Sequence, residues 1–191
     1  MAIDYNSVGK TVKSPKNFAH VVLQTYQLQQ MADFYKKFLN ARPSYENSFA
    51  SFLTYDEEHH RVAIVQIPGV GKKNPKTAGL QHMAFSYETL EDLAATYLQR
   101  KANDILPAWC VNHGPTTSMY YEDPDGNRIE IQVDNFDTPD EASEFMASKY
   151  FDENPIGTDF DPEALIARLN SGENHTSIKK RVEIGPRTTH P

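Results

Sequence analysis

The stretch FAHVVLQTYQLQQMADFYKKFLN, residues 18–40, has a counterpart in GLQHMAFSYETLEDLAATYLQRKAN, residues 79–103. Each opens on a short alternating run, the mark of a strand, and passes into apolar residues at helical spacing. Superposing His20 on His82 sets Tyr35 against Tyr97, so strand and helix stay in register. The first helical stripe is Leu28, Met31, Phe34, Tyr35, Phe38 and Leu39; the second is Leu90, Leu93, Ala94, Tyr97 and Leu98. Pro43 stops the first helix, and the strand-like runs RPSYENS, SFLTYD and HRVAIVQI follow. After the second helix come DILPAWC, TSMYYED and NRIEIQVD, the last two joined by the tight turn PDG. A repeat of βαβββ units, each of roughly 55 residues, leaves two open curved sheets that can stand side by side as a cup.

The expected fold is therefore α+β: two tandem βαβββ modules forming a curved mixed-sheet cup, with a C-terminal helical extension. The boundaries read as an N-terminal arm at 1–16, a first module at 17–72, a second at 73–135 and the extension at 136–191. IPGVGKKNPKTAG, with its Pro, Gly and Lys content, links the modules. The extension shows a capping box at Thr138-x-x-Glu141. It also shows a second helix start, with Asp161 as N-cap, Pro162 at the first position and Gly172 past the end. Two short helices and a disordered last dozen residues are expected there.

The formal charge of −7 argues against a nucleic-acid partner, and the short KKR run at 179–181 reads as a solvated tail. A single cysteine, Cys110, forms no intrachain disulfide, which suits a reducing compartment. The start of the chain lacks the apolar core of a signal peptide, and no run approaches the roughly 18 apolar residues of a membrane span. The reading is a cytoplasmic protein with no membrane anchor.

Alternation along the strands gives the chemical signal. His20 shares a face with Val22 and Gln24, His82 with Ala84 and Ser86, and Glu130 with Arg128 and Gln132, while Ile129, Ile131 and Val133 form an unbroken apolar face opposite. A lone histidine on a half-buried strand is ordinarily hydrogen-bonded structure. Two at equivalent positions of a repeat, with a carboxylate facing the same way from a third strand, make a two-His-one-carboxylate set. That set suits non-haem Fe(II), and Mn(II) is compatible with it.

FAHVVLQT, GLQHMAFSY and YYEDPDGNRIEIQ resemble strands of the vicinal oxygen chelate superfamily, which includes glyoxalase I, bleomycin-resistance proteins and extradiol dioxygenases. The likeness is nearest to extradiol dioxygenases of the 2,3-dihydroxybiphenyl type. His59 and His60 lie 39 and 40 residues after His20, RVAIVQIPG follows, and Tyr120 stands ten residues before Glu130. His113 sits in the preceding loop, about two residues nearer Tyr120 than in that type. The resemblance spans about residues 17–135. It implies His20, His82 and Glu130 as Fe(II) ligands, His60 as the acid-base group, and His113 and Tyr120 as partners of the catecholate hydroxyls. It also implies a homodimer acting on a small catecholic substrate with O2.

One feature of the repeat pulls the other way. Laying RVAIVQ on RIEIQV puts Ala63 where Glu130 stands, and simple alternation then turns His59 inward together with Arg61, unless a bulge or a strand start intervenes. His60 is preferred on the family spacing. A metal-dependent isomerase, a lyase, an oxygenase of a non-aromatic substrate and a ligand-sequestering module are the other functions the superfamily allows. Phe49, Phe52, Trp109 and Met119 are candidates for the pocket wall.

Overall fold

The computed structural model describes residues 9–189, so the first half of the expected N-terminal arm lies outside the described residues. The two halves of the repeat form two sheets of the same topology. The first module is β1 (Val21–Thr25), α1 (Leu28–Phe38), β2 (Arg42–Glu46), β3 (Ala50–Thr54) and β4 (Val62–Gln66). The second is β5 (His82–Tyr87), α2 (Leu90–Lys101), β6 (Trp109–Asn112), β7 (Thr116–Glu122) and β8 (Arg128–Asp134). The strand orders β1-β4-β3-β2 and β5-β8-β7-β6 are equivalent. In each, the first strand runs parallel to the last and the remaining pairs are antiparallel. Val22 pairs with Ala63 and Ala84 with Glu130, so Ala63 is the structural counterpart of Glu130. The two mixed sheets remain separate and do not close into a barrel.

The helix stripes read from the sequence bury the core. Leu28, Met31, Tyr35 and Phe38 of α1 and Leu90, Leu93 and Tyr97 of α2 join Ile129, Ile131 and Val133 of β8 in one cluster, and Ala94 of α2 is buried as well. Each fully buried aliphatic side chain of this kind contributes about 1.5–3 kcal/mol. One expected member is different: Leu98 is 45% exposed, and Arg100 is buried in the stripe instead. The reason is the end of the neighbouring helix. Phe38 is the last residue of α1, and its carbonyl accepts bonds from Arg100 Nε at 3.1 Å and Arg100 NH2 at 2.7 Å, with the guanidinium 4.2 Å from the Phe38 ring. A cation at a helix C-terminus meets both the free carbonyl and the dipole.

The β7–β8 turn ties the modules together a second time. Asp123 accepts from the Asn127 and Asp125 amides and from the Tyr35 hydroxyl at 2.9 Å, across 88 residues of chain. Gly126, at φ 80°, supplies the left-handed residue that this tight turn requires. Gln27 Nε2, at the β1–α1 junction, donates to Pro124 O and to Asp125 Oδ1. Module one thereby grips the turn that leads into the strand carrying Glu130.

The extension holds more structure than the sequence announced. The two expected helices are present as α3 (Pro139–Met146) and α5 (Pro162–Asn170), with the Thr138 capping box and the Asp161 cap in place. Between and beyond them lie α4 (Lys149–Glu153), the two-residue β9 (Thr158–Asp159) and α6 (His175–Lys179). β9 pairs with β6 and adds a fifth strand to the second sheet. The last dozen residues, expected to be disordered, fold back where they are described. Arg181 of the KKR run is buried and its guanidinium donates to three backbone carbonyls, those of His113, Tyr150 and Asn154. A guanidinium in that position holds the tail down, where composition alone suggested solvent.

The repeat-equivalent tyrosines provide an internal control. Tyr35→Phe removes a donor from a buried carboxylate and is expected to cost about 1–3 kcal/mol, seen as a lower urea midpoint at unchanged slope. Tyr97 donates to Glu163, which is half exposed. Tyr97→Phe is expected to cost about 1 kcal/mol or less. Equal losses would contradict this account of the module junction.

Candidate active site

Glu130 is 5% exposed on the central strand β8, between Ala84 of β5 and Tyr120 of β7. The strand's other face, Ile129 and Ile131, is fully buried, so the carboxylate cannot swing to solvent without lifting the strand. Its close partners are imidazoles. His82 Nε2 lies 3.0 Å from Glu130 Oε2, and His113 Nε2 lies 3.9 Å from Oε1. The small Ala84 leaves room beside the carboxylate, because its side chain ends at Cβ.

His113 sits in the β6–β7 turn, where Gly114 at φ 104° reverses the chain and the His113 amide donates to Thr116 O. Its Nδ1 is 2.5 Å from the carbonyl oxygen of Ile156 and its Nε2 is 2.9 Å from the Tyr120 hydroxyl. A carbonyl oxygen only accepts, so Nδ1 carries the hydrogen and Nε2 of the neutral ring presents a lone pair. Burial holds the imidazole below its usual range, helped by the charges of His82 and Arg181 and opposed by the Ile156 carbonyl and Glu130. Burial, then the Glu130 charge and a hydrogen bond to it, pushes the Tyr120 phenol above its usual range. Tyr120 is sandwiched: Trp109 stacks on it at 4.9 Å and His82 meets it edge-on at 5.4 Å.

The first module carries a second group of rings. Phe52 pairs with Ala63, so it shares the face that corresponds to Glu130. His60 stacks on Phe52 at 5.1 Å and lies 4.3 Å from the His20 ring. β4 begins at Val62, after the histidine pair, with the Arg61 amide donating to Leu53 O. Alternation therefore does not extend to the pair. His60 turns toward His20, while the His59 side chain is 69% exposed and lies against Glu58. Burial, with the neighbouring charges of His20 and His59, lowers the His60 pKa. Arg61 does not enter the cup: it pairs with Asp56 and donates to the carbonyls of Phe18 and Ala19, fixing the segment that carries His20.

The expected ligands thus stand in two groups, His82 with Glu130 and His20 with His60. Among the described residues no cluster of three or more His, Cys, Asp and Glu side chains is close enough to hold a metal ion. A cavity of about 440 Å³ lies between the start of β1 and β5; Ala19, Val21, Arg61, His82, Met83 and Phe85 line it, and neither His20 nor Glu130 is on its wall. The donor chemistry nevertheless fits a divalent ion. His82 Nε2 and Glu130 Oε2, 3.0 Å apart, are near enough to each other to serve one ion together. Neutral imidazoles and a buried carboxylate are also the ligand types that such an ion takes.

Of the residues expected to wall a pocket, Phe52 and Trp109 face the site. Met119 does not: it is fully buried in the core, because alternation that turns Tyr120 to the cup turns Met119 away. Phe49 lies just before β3 and is exposed. Ile156, Asp159 and Arg181 of the extension reach the site and carried no periodic signal in the sequence.

A fold of two βαβββ modules with this polar face defines a class, and the sequence profile of the Glyoxalase/Bleomycin resistance protein/Dioxygenase superfamily matches residues 17–131. The chain belongs to that superfamily. It is 46% identical over 160 residues to biphenyl-2,3-diol 1,2-dioxygenase 2 of Rhodococcus globerulus, covering 83% of this chain and 84% of that one. It is also 46% identical over 165 residues to biphenyl-2,3-diol 1,2-dioxygenase 3 of the same organism, covering 85% and 87%. Among solved structures, a glyoxylase/bleomycin resistance protein/dioxygenase domain from Frankia sp. has the same fold at a TM-score of 0.53 and 17% identity, covering 63% of this chain and 99% of that one.

Arg61→Ala releases the segment before β1. Exchange of the Val21 amide, which donates to Arg61 O, is expected to speed up by about tenfold or more, with the Ile131 amide unchanged. Unchanged protection of Val21 would remove Arg61 as the residue that fixes His20.

Proposed function

We infer that the protein is an extradiol-type, ring-cleaving dioxygenase that opens a catechol or related vicinal diol with O2, using Fe(II), with Mn(II) as a compatible substitute. The observation that carries the reading is 46% identity to biphenyl-2,3-diol 1,2-dioxygenases over more than four-fifths of each chain. The cup supports it with Glu130 set among His82, His113 and Tyr120. Among the described residues no helix is long and apolar enough to cross a membrane, and the one thiol, Cys110, is buried. Both fit work in the cytoplasm.

His20, His82 and Glu130 would hold the ion, which when bound supplies Lewis acidity for the diol oxygens and a redox centre for O2. His113 offers the lone pair of its neutral Nε2 and takes the proton from one diol hydroxyl. Tyr120, whose raised pKa keeps it protonated, donates a hydrogen bond to the ring oxygen as that oxygen becomes a ketone and keeps its proton. His60, beside His20, would take a second proton from the diol and return it to the oxygen chemistry. Phe52 and Trp109 provide flat apolar surfaces suited to an aromatic ring.

The test is anaerobic loading with Fe(II), followed by oxygen uptake on a panel of catechols that includes 2,3-dihydroxybiphenyl. Uptake with at least one diol and formation of a ring-opened product are expected. Iron-loaded protein that consumes no oxygen with any diol would overturn the reading. His60→Ala is expected to lower kcat by about 100-fold or more, and His59→Ala by less than about threefold. The reverse order would move the acid-base role to His59.

A further inference from the structure

We propose that the C-terminal extension is a working part of the active site: it positions His113, and through Trp109 it positions Tyr120. The proposal rests on the roles given above to His113 and Tyr120. Three contacts carry it, each ending on a polar atom of the site or of a residue stacked on it.

The first is the loop NPIGT. Asn154, almost fully buried, closes this loop on itself: its Oδ1 accepts from the Gly157 amide and its Nδ2 donates to Gly157 O. So braced, the loop presents the Ile156 carbonyl to His113 Nδ1. The approach is tight. A Cβ on Gly157, which sits at φ 105°, would lie 2.3 Å from Asn112 O and 2.8 Å from His113 Cα. No other residue type allows that contact without displacing the loop. Because the carbonyl can only accept, the loop fixes which nitrogen of His113 carries the hydrogen, as well as where the ring points.

The second is Arg181, whose side chain is 1% exposed. NH1 donates to the carbonyls of His113 and Asn154, NH2 to that of Tyr150, and Glu183 accepts from both Nε and NH2. One planar fork thus ties the backbone of His113 to the loop that holds its ring. Lysine has neither the fork nor the donor count to do the same. The third is Asp159 of β9, which accepts from Trp109 Nε1 at 2.8 Å and pairs with Arg187 at 2.7 Å. Trp109 is stacked on Tyr120 with an interplanar angle of 24°. Asp159 therefore sets the plane against which Tyr120 rests. A segment that only covered apolar surface would have no cause to direct a carbonyl and a guanidinium at His113 and a carboxylate at Trp109.

Arg181, Asp159 and the loop are positioning elements, since the groups that would touch substrate are His113 and Tyr120. Trp109 is the only tryptophan of the chain, which gives a readout independent of turnover. Asp159 is 53% exposed, so its variants are expected to fold. In the full-length, iron-loaded protein, Asp159→Ala should red-shift Trp109 emission and increase its quenching by acrylamide. The same variant should lower kcat about 10- to 100-fold, with KM changed less than about threefold and iron content unchanged. Asp159→Asn keeps an acceptor oxygen for Trp109 and should restore emission and most of kcat, although it also loses the Arg187 charge pair. Arg181→Met should lower kcat by at least as much, and Arg181→Lys should not restore it. If Arg181→Met does not fold, the Asp159 pair decides. Wild-type kinetics in folded Asp159→Ala and Arg181→Met would overturn the proposal, as would equal losses in Asp159→Ala and Asp159→Asn. If the unaltered protein turns over no diol, the dioxygenase reading fails and emission alone decides: a shift in Asp159→Ala reversed in Asp159→Asn upholds the positioning, and no shift overturns it.

Discussion

Everything in the cup answers to one costly placement, a carboxylate buried on a central strand. Leaving Glu130 charged and unpaired there would cost several kcal/mol. The strand cannot relieve this by movement, because Ile129, Ile131 and Val133 anchor its other face in the core. The compensation has to come to the carboxylate, and it comes as His82 and the Tyr120 hydroxyl. In the proposed function these groups exchange a hydrogen-bonding role for a ligand role or a proton-carrying role, so that one arrangement would serve both stability and chemistry.

The repeat shows how the two halves have divided the work. In equivalent register one sheet carries Glu130 and the other Ala63. Where the carboxylate is missing, the first module supplies Phe52 and His60 on the same face and puts Arg61 to use outside the cup, holding the approach to His20. The strand start after His60 is what frees the pair from alternation, so His60 lies between His20 and His59, and His59 touches it through Nδ1 while most of its own side chain stays exposed. The grip of Gln27 and Tyr35 on the β7–β8 turn, and of Arg100 on the end of α1, keeps the two faces in a fixed relation.

Most of this architecture could be read from residue order, because it is written in periodicities: stripes on α1 and α2, alternation on β1, β5 and β8, and caps at Thr138 and Asp161. What escaped was set by single long-range contacts. Arg100 replaces Leu98 in the core because a helix end 62 residues away needs donors. Arg181 sits in a basic run that looks solvated, and only the folded chain shows the three carbonyls it serves. β9 is two residues long and has no pattern of its own; its partner strand defines it. The site followed the same division. His20, His82 and Glu130 could be singled out by facing and repeat, His60, His113 and Tyr120 by resemblance, and the residues that orient them only in three dimensions.

The central claim is that Glu130 and His82 are half-paired in the folded chain because they are the ready-made edge of a metal site. Anaerobic titration of metal-free protein with Fe(II), read by calorimetry and metal analysis, tests it most directly. One ion per chain is expected, with affinity falling in Glu130→Ala and in His82→Ala by more than the roughly 10- to 100-fold that loss of an outer-shell partner causes. A protein that binds no ion, or a Glu130→Ala variant that binds it as tightly as the unaltered chain, would contradict the account and leave the buried carboxylate as a structural group alone.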